Sequence, residues 1–244
     1  MKTGDSDSLQ MFEAEADGLR ELASAHAIRV PEVIEVAANE NGSSITMEWL
    51  DLSRGTAETE RTLGRQMAAL HRVTQRKFGW HRDNTIGLTL QENPYTDNWI
   101  GFYCEHRVAS QLRLAADNGF NGPLLSRGHD VINSIDRYFD GYDPLASLLH
   151  GDLWGGNWGC CDGQPVIFDP AVYFGDRETD LAMTRLFGGF GADFYAAYEE
   201  SWPLEDGHDL RCALYQLYHV LNHLNLFGGG YLAQAMTLMD RLLR

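Results

Sequence analysis

The sequence predicts an α+β protein with two lobes, a small N-terminal lobe at residues 1–50 and a larger C-terminal lobe at residues 51–244. An amphipathic helical pattern near the start of the chain is followed by two strand-like runs joined by a turn signal. Beyond them helical patterns dominate, so we expect the second lobe to be mainly helical. With 244 residues, 44% of them hydrophobic, the chain can bury a sizeable core.

The N-terminal lobe is predicted from one helix and one hairpin. Residues 8–27 place apolar side chains at helical spacing, and residues 33–36 form a short apolar run typical of a strand. Asn41-Gly42 is a hairpin signal, and residues 44–49 are predicted as the second strand of that hairpin. We therefore expect the order helix, strand, strand in this lobe.

The C-terminal lobe contains a succession of helical patterns. Residues 78–95 are rich in glycine, asparagine and aromatic residues and are predicted as a loop, and short strands are expected only around a motif near residue 150. The sequence contains no internal repeat or low-complexity tract. Helices are predicted at about residues 56–74, 97–117, 128–139, 178–186, 192–201, 209–226 and 231–243.

Residues 150–170 contain the most informative chemistry of the chain. Asp152 and Asn157 flank two glycines that allow the backbone to bend, and Asp169 ends a short apolar run predicted as a buried strand. A carboxylate can take a proton from a hydroxyl, while an amide oxygen and a second carboxylate can hold a hard cation. We therefore predict Asp152 as a general base, Asn157 and Asp169 as magnesium ligands, and phosphoryl transfer as the reaction.

These motifs resemble those of a known family. The pattern H-G-D-x-x-x-x-N, followed by an apolar strand and Asp, resembles the catalytic and metal loops of kinase-like phosphotransferases of small molecules. The wider text resembles the fructosamine kinases (ketosamine-3-kinases) from residue 2 to the C-terminus. The blocks that carry this resemblance are L-L-H-G-D-L-W-G-G-N-W-G, I-F-D-P-A-V-Y-F-G-D-R-E-T-D-L-A-M, F-G-W-H-R-D-N-T-I-G and L-Y-Q-L-Y-H-V-L-N-H-L-N-L-F-G.

The resemblance implies a kinase-like two-lobed fold and an ATP- and Mg²⁺-dependent enzyme. Such an enzyme would move the γ-phosphoryl group of ATP to the 3-hydroxyl of a fructosamine or ribulosamine, either a small molecule or protein-bound. In the family the phosphorylated product falls apart and frees the amine, which implies a role in repair of glycated amines. The same resemblance implies a hinge between the lobes at Glu48 and Leu50, where backbone groups would meet the adenine.

The resemblance also implies a phosphate-binding lysine at Lys2 with a glutamate partner, for which Glu15 is the better-aligned candidate and Glu13 the alternative. A kinase-like N-terminal lobe normally has two strands and a glycine-rich turn before this lysine. Because Lys2 follows Met1 directly, we expect a truncated N-terminal β lobe that lacks the phosphate-covering turn. We also expect Lys2 to have no strand partner that holds it in register, and ATP binding to be weak.

Three further assignments concern the acceptor side and the catalytic loop. By resemblance, Trp154 and His223 are candidate substrate contacts, and His150 braces the loop rather than acting in catalysis. His219 and His223 have a spacing compatible with zinc binding, but the sequence offers no evident third ligand, so a zinc site is not expected. The charged residues at 176–180 are expected to form an internal frame, with a solvated loop as the alternative.

Charge and cysteine usage limit the partners and the location. The net charge is −16, so nucleic acid and anionic membranes would be repelled and neither is expected as a partner. Four cysteines without a C-x-x-C pair are expected to be reduced thiols, and no signal-peptide or membrane-spanning pattern is present, so we expect a cytoplasmic protein. The oligomeric state stays open.

Two alternatives to a ketosamine kinase remain. A choline or aminoglycoside kinase would share the fold, although the F-G-W and L-N-H-L-N-L-F-G blocks argue against it. A catalytically impaired remnant could bind sugar amines or a partner without phosphorylating them. A nucleophilic hydrolase is disfavoured because no G-x-S-x-G elbow occurs in the sequence.

Overall fold

A computed structural model describes residues 1–40 and 42–244. The α-helices are α1 Leu9–Ser24, α2 Ala57–His71, α3 Trp99–Tyr103, α4 Ser110–Asp117, α5 Pro123–Asn133, α6 Glu178–Leu186, α7 Ala192–Ser201, α8 His208–Phe227 and α9 Leu232–Leu242. The strands are β1 Lys2–Gly4, β2 Val33–Asn39, β3 Gly42–Met47, β4 Thr74–Gln75, β5 Asn84–Ile86, β6 Thr89–Gln91, β7 Ala146–Leu149, β8 Trp158–Cys161, β9 Gln164–Ile167 and β10 Tyr173–Gly175.

The N-terminal part combines α1 with a three-stranded antiparallel sheet in the order β1-β3-β2. The apolar face of α1 packs on this sheet, and Phe12, Ala16 and Ile45 form a small core of their own. The expectation that Lys2 has no strand partner is wrong, because β1 pairs with β3 and places Lys2 opposite Ile45. The predicted hairpin of β2 and β3 is confirmed, although its turn residue Asn41 lies outside the described residues.

The C-terminal part is built around α8, whose buried side chains face α4, α6 and α9. Aromatic and aliphatic residues from these helices and from β7 form one large hydrophobic core. The motif at residues 150–157 connects β7, in a small antiparallel sheet of order β10-β7-β4, to β8, in the separate hairpin β8–β9. An α+β fold with a mainly helical second part is therefore confirmed, while the domain boundary at residue 50 stays a prediction.

Several local expectations differ from the structure. The predicted loop at residues 78–95 contains the hairpin β5–β6, and β4 adds a strand to β7, so strands are not confined to the surroundings of the catalytic motif. Helix α5 begins at Pro123, five residues before the predicted start, because proline suits the first turn of a helix. Within the described residues, no helix combines the length and apolar character that a membrane span requires.

Candidate active site

One cleft of about 320 Å³ brings together most of the residues selected from the sequence. It joins the N-terminal sheet and α1 to the loop after β7 and the segment after β9. The predicted site residues that line it are Lys2, Glu15, Asp152, Trp154, Asn157 and Asp169. Glu48, Leu50 and His223 are not among the residues that line this cleft in the described part of the chain.

The loop after β7 is held in a fixed shape by backbone contacts. Gly151 has φ of +82°, and a Cβ at this position would lie 2.0 Å from the carbonyl oxygen of Ala171, so another residue would not fit. The buried carboxylate of Asp180 accepts hydrogen bonds from the backbone N–H groups of His150 and Gly151, at 2.8 and 2.9 Å. Asp180 thus anchors the loop immediately before Asp152.

His150 braces the same loop from its other side. Its Nε2 donates to the carbonyl oxygen of Phe168 at 3.0 Å, and its Nδ1 accepts from the backbone N–H of Asp152 at 3.2 Å. Burial lowers the pKa of His150, which keeps the ring neutral and suits one donating and one accepting nitrogen. Both ring nitrogens are engaged in holding the loop, as the family resemblance implies.

Asp152 has the electrostatic properties of a general base. Burial raises its pKa to about 7, with a further rise from the charges of Asp180 and Asp169 and an opposing effect of the hydrogen bond from Asn157. The Nδ2 atom of Asn157 donates to Asp152 Oδ2 at 3.2 Å and to the Asp152 carbonyl at 2.8 Å, which fixes the orientation of the carboxylate. A base with a pKa near neutrality can both accept and release a proton under ordinary conditions.

Asn157 and Asp169 present oxygen atoms that suit a hard cation. Because Asn157 Nδ2 is directed at Asp152, Oδ1 is the amide atom that can face a metal ion. Asp169 follows β9 with φ of +56°, a left-handed conformation that is costly outside glycine and is typical of functional sites. In the described residues no three His, Cys, Asp or Glu side chains form a metal cage, so magnesium here would need the oxygens of a nucleotide to complete its ligands.

Lys2 enters the cleft from β1 and meets two carboxylates. Its Nζ atom donates to Glu15 Oε1 at 2.7 Å and to Asp169 Oδ1 at 2.6 Å. Burial alone would lower the pKa of Lys2, but the hydrogen bonds and charges of Asp169 and Glu15 together raise it, so the amine stays protonated. Glu13, the alternative partner, instead lies 3.7 Å from Arg82.

The charged segment at residues 176–180 is an internal frame rather than a solvated loop. Asp176 accepts from the hydroxyls of Tyr142 and Tyr215 at 2.8 and 2.5 Å, and burial raises its pKa to about 6. Glu178 forms a two-pronged ion pair with Arg211, at 2.8 and 2.9 Å, in which both side chains are buried. These contacts tie the start of α6 to α8 and so support Asp180 beneath the catalytic loop.

The hinge and acceptor candidates lie outside or at the edge of the cleft. Glu48 follows β3 and pairs with Arg29 at 2.8 Å, and Leu50 is half-buried beyond it. The Trp154 side chain is 41% exposed at the cleft, so it is available to a ligand rather than part of the core. His223 Nδ1 donates to the carbonyl oxygen of His219 at 2.8 Å, one helical turn earlier on α8.

A buried polar network that was not predicted from the sequence lies behind the cleft wall. Arg107 is fully buried, donates to Asn93 Oδ1 at 2.7 Å, and has its guanidinium 4.2 Å from the centre of the Tyr173 ring. Asn84, which lines the cleft, receives hydrogen bonds from Asn93 and Gln91. Among the described residues no carboxylate pairs with Arg107. Arg107 follows Glu105 and His106 in a helical segment, so nothing in its local sequence marks it as buried, and its partners lie on separate elements.

The geometry and the comparisons with known proteins lead to the same class. A family model described as fructosamine kinase matches residues 1–244. A protein named "Probable ketoamine kinase" from Synechocystis is 44% identical over all of this chain and 82% of its own length. The chloroplastic protein-ribulosamine 3-kinase of Arabidopsis thaliana is 41% identical over all of this chain and 76% of its length.

A solved structure extends this similarity to three dimensions. A crystal structure assigned as a fructosamine-3-kinase from Haemophilus somnus superposes with a TM-score of 0.91 at 30% identity, over all of this chain and 83% of that one. The fold and the cleft thus define a phosphotransferase of the kinase-like class. Within that class, the chain belongs to the fructosamine kinase family.

Proposed function

We propose that this protein transfers the γ-phosphoryl group of ATP to the 3-hydroxyl of a ketosamine, either a fructosamine or a ribulosamine. The observation that carries the proposal is the convergence of three functions in one cleft: the base Asp152, the cation-binding oxygens of Asn157 and Asp169, and the amine of Lys2. The similarity to a ribulosamine 3-kinase supports the choice of acceptor. Repair of glycated amines is the proposed role.

Each of these cleft residues has a separate role in the proposed reaction. Asp152 takes the proton of the acceptor hydroxyl as its oxygen bonds to the γ-phosphorus, and the bond between that phosphorus and the bridging oxygen breaks to release ADP. Asn157 holds the Asp152 carboxylate in orientation through its Nδ2 hydrogen bond. Lys2, oriented by Glu15, steadies the phosphates. A magnesium ion held by Asn157 and Asp169 would supply charge neutralisation on the phosphate oxygens.

The remaining proposals concern the contacts of the two substrates and the cellular location of the protein. We propose that backbone groups at Glu48 and Leu50 meet the adenine, and that Trp154 and His223 contact the sugar amine. Exposure of Trp154 at the cleft supports this arrangement. We propose a cytoplasmic location, supported by four cysteines that are free in the structure, since reduced thiols are typical of that compartment.

An ATP-turnover assay with Mg²⁺ against ribulosamine, fructosamine, choline and kanamycin tests the proposal. We expect turnover with one or both ketosamines and none above background with choline or kanamycin. A preference for choline or kanamycin would assign the protein to the neighbouring class of small-molecule kinases. Binding of a ketosamine without any turnover would identify the protein as a catalytically impaired remnant, and the proposal would be wrong.

A further inference from the structure

Four rings form a partly exposed cluster in the C-terminal part. The aromatic cluster consists of Phe187, His223, Phe227 and Tyr231, with His223 at its centre. The centre of the His223 ring lies 4.5 Å from that of Phe187, 5.4 Å from Phe227 and 5.2 Å from Tyr231. Phe187 follows α6, His223 and Phe227 lie one turn apart on α8, and Tyr231 lies in the turn before α9. Three separate elements therefore converge on one patch.

Backbone contact links this cluster to the catalytic loop. Phe187 lies two residues before Gly189, which has φ of +93° and approaches Gly155 so closely that a Cβ on Gly189 would lie 2.4 Å from the Gly155 Cα. Trp158 Nε1 donates to the carbonyl oxygen of Gly189 at 3.1 Å. The turn that carries Phe187 is thus fixed against Gly155, the residue that follows Trp154.

A second contact links the cluster to the opposite wall of the cleft. Gly87, in the β5–β6 turn, lines the cleft, and a Cβ placed on it would lie 3.2 Å from the Cδ1 atom of Leu226. Leu226 directly precedes Phe227 on α8. The aromatic cluster therefore flanks the cleft between its catalytic loop and its hairpin wall.

The chemistry of the cluster suits a positively charged ligand. Phe227 is 68% exposed and Phe187 is 37% exposed, and the faces of such rings attract ammonium groups. His223 uses Nδ1 as a donor to His219, which leaves Nε2 as an acceptor. Burial lowers the pKa of His223, so the ring is neutral and does not repel a cation. The net charge of −16 favours the approach of cations over that of anions.

We infer that the aromatic cluster is the subsite for the amine side of the ketosamine, binding the protonated secondary amine and the first carbons of its alkyl chain. This inference rests on the proposed function. A ketosamine carries its positive charge next to the sugar, so a sugar held at Trp154 would direct the amine along the flank of the cleft. The cluster then selects for a charged amine, whereas Asp152 acts on the sugar hydroxyl.

A pair of matched ligands tests the inference. The first is an N-alkyl ribulosamine, and the second is its ether analogue, in which oxygen replaces the amine nitrogen and removes the charge. Calorimetry measures the Kd of each for the protein saturated with Mg²⁺ and ADP. Phe227→Leu keeps an apolar side chain but removes the aromatic ring, whereas the separate variant Phe227→Tyr keeps a ring. The control is Tyr95→Leu, at an exposed aromatic residue that does not line the cleft.

We expect Phe227→Leu to weaken binding of the amine by about threefold to tenfold and to change binding of the ether by less than about twofold. Phe227→Tyr and Tyr95→Leu should bind both ligands like the wild type. An equal loss for amine and ether, or no loss for either, would overturn the inference.

Turnover of the N-alkyl ribulosamine by the wild type, measured in parallel, separates this inference from the proposed function. If the wild type turns over the N-alkyl ribulosamine but Phe227→Leu weakens binding of the amine and the ether equally, only the subsite inference is refuted. Absence of turnover refutes the proposed function, and absence of ketosamine binding to the wild type refutes both.

Discussion

The Nζ atom of Lys2 lies 2.6 Å from Asp169 Oδ1, so the proposed phosphate-binding lysine is paired with the proposed magnesium ligand. Glu15 holds the same amine at 2.7 Å. The lysine therefore places a positive charge directly at the carboxylate that is proposed to hold the metal ion. Binding of Mg²⁺ and ATP has to redistribute these contacts, since one carboxylate oxygen cannot contact both cations at full strength.

Replacement of Lys2 by Met should separate two effects of this amine: competition with a metal ion at Asp169 and binding of the ATP phosphates. Without the ammonium group, Asp169 loses its competing cation, and we expect the nucleotide-free variant to bind Mn²⁺ roughly threefold to tenfold more tightly, by calorimetry. The kcat/KM for ATP should fall by about a hundredfold or more, because a cation on the phosphates is lost. Lys77→Met is the control, since Lys77 is exposed and lies 3.9 Å from Asp97. Unchanged Mn²⁺ affinity in Lys2→Met would contradict the competition.

The raised pKa of Asp152 has a consequence for stability. Burial raises this pKa from 3.8 to about 7, so folding favours the protonated carboxyl. The resulting decrease in the free energy of unfolding is absent below the unfolded pKa of 3.8, grows as the pH rises, and is complete above about 7. Asp152→Asn removes the titration and can still accept the hydrogen bond from Asn157.

Denaturant unfolding in the presence of EDTA measures this effect. At pH 8 we expect Asp152→Asn to raise the free energy of unfolding by about 1–3 kcal/mol relative to the wild type. At pH 5 the gain should be clearly smaller. A gain of the same size at both pH values would show that the carboxylate is not destabilised by its surroundings.

The buried ion pair between Arg211 and Glu178 should be important for folding. Both side chains are almost fully buried, so Arg211→Met leaves a carboxylate without its partner beside Asp176. We expect a loss of about 3 kcal/mol in the free energy of unfolding. Arg113→Met is the matched control, because the Arg113–Glu105 pair is exposed and should contribute less than about 1 kcal/mol. Equal losses in the two variants would refute this distinction.

Elements with a strong local signal were predicted well from the sequence. The expected helix at residues 178–186 matches α6, and the one at residues 192–201 matches α7. Neither segment contains glycine or proline, whereas glycines separate the two and Pro203 follows the second, so their limits are marked in the sequence. The Lys2–Glu15 contact was expected from the family resemblance and is present in the structure. The catalytic roles of Asp152, Asn157 and Asp169 stay predictions, although these residues share one cleft.

Elements that depend on distant partners were missed. Strand β1 has three residues and exists because β3 lies beside it, so its local sequence resembles a polar terminus. Strands β5 and β6 are equally short, and the turn residues between and around them favour a loop. Arg107 is held by Asn93 and by the ring of Tyr173, residues brought together by the folded chain rather than by sequence spacing.

The most direct test of this account is phosphoryl transfer to a ribulosamine by the wild type and by Asp152→Asn, with the product position determined by ³¹P and ¹H NMR. We expect a single product phosphorylated at the 3-hydroxyl. We also expect turnover by the folded variant to fall by about a thousandfold or more, because proton removal at that hydroxyl depends on the carboxylate. Transfer to another hydroxyl, or more than about a tenth of wild-type turnover in Asp152→Asn, would contradict it.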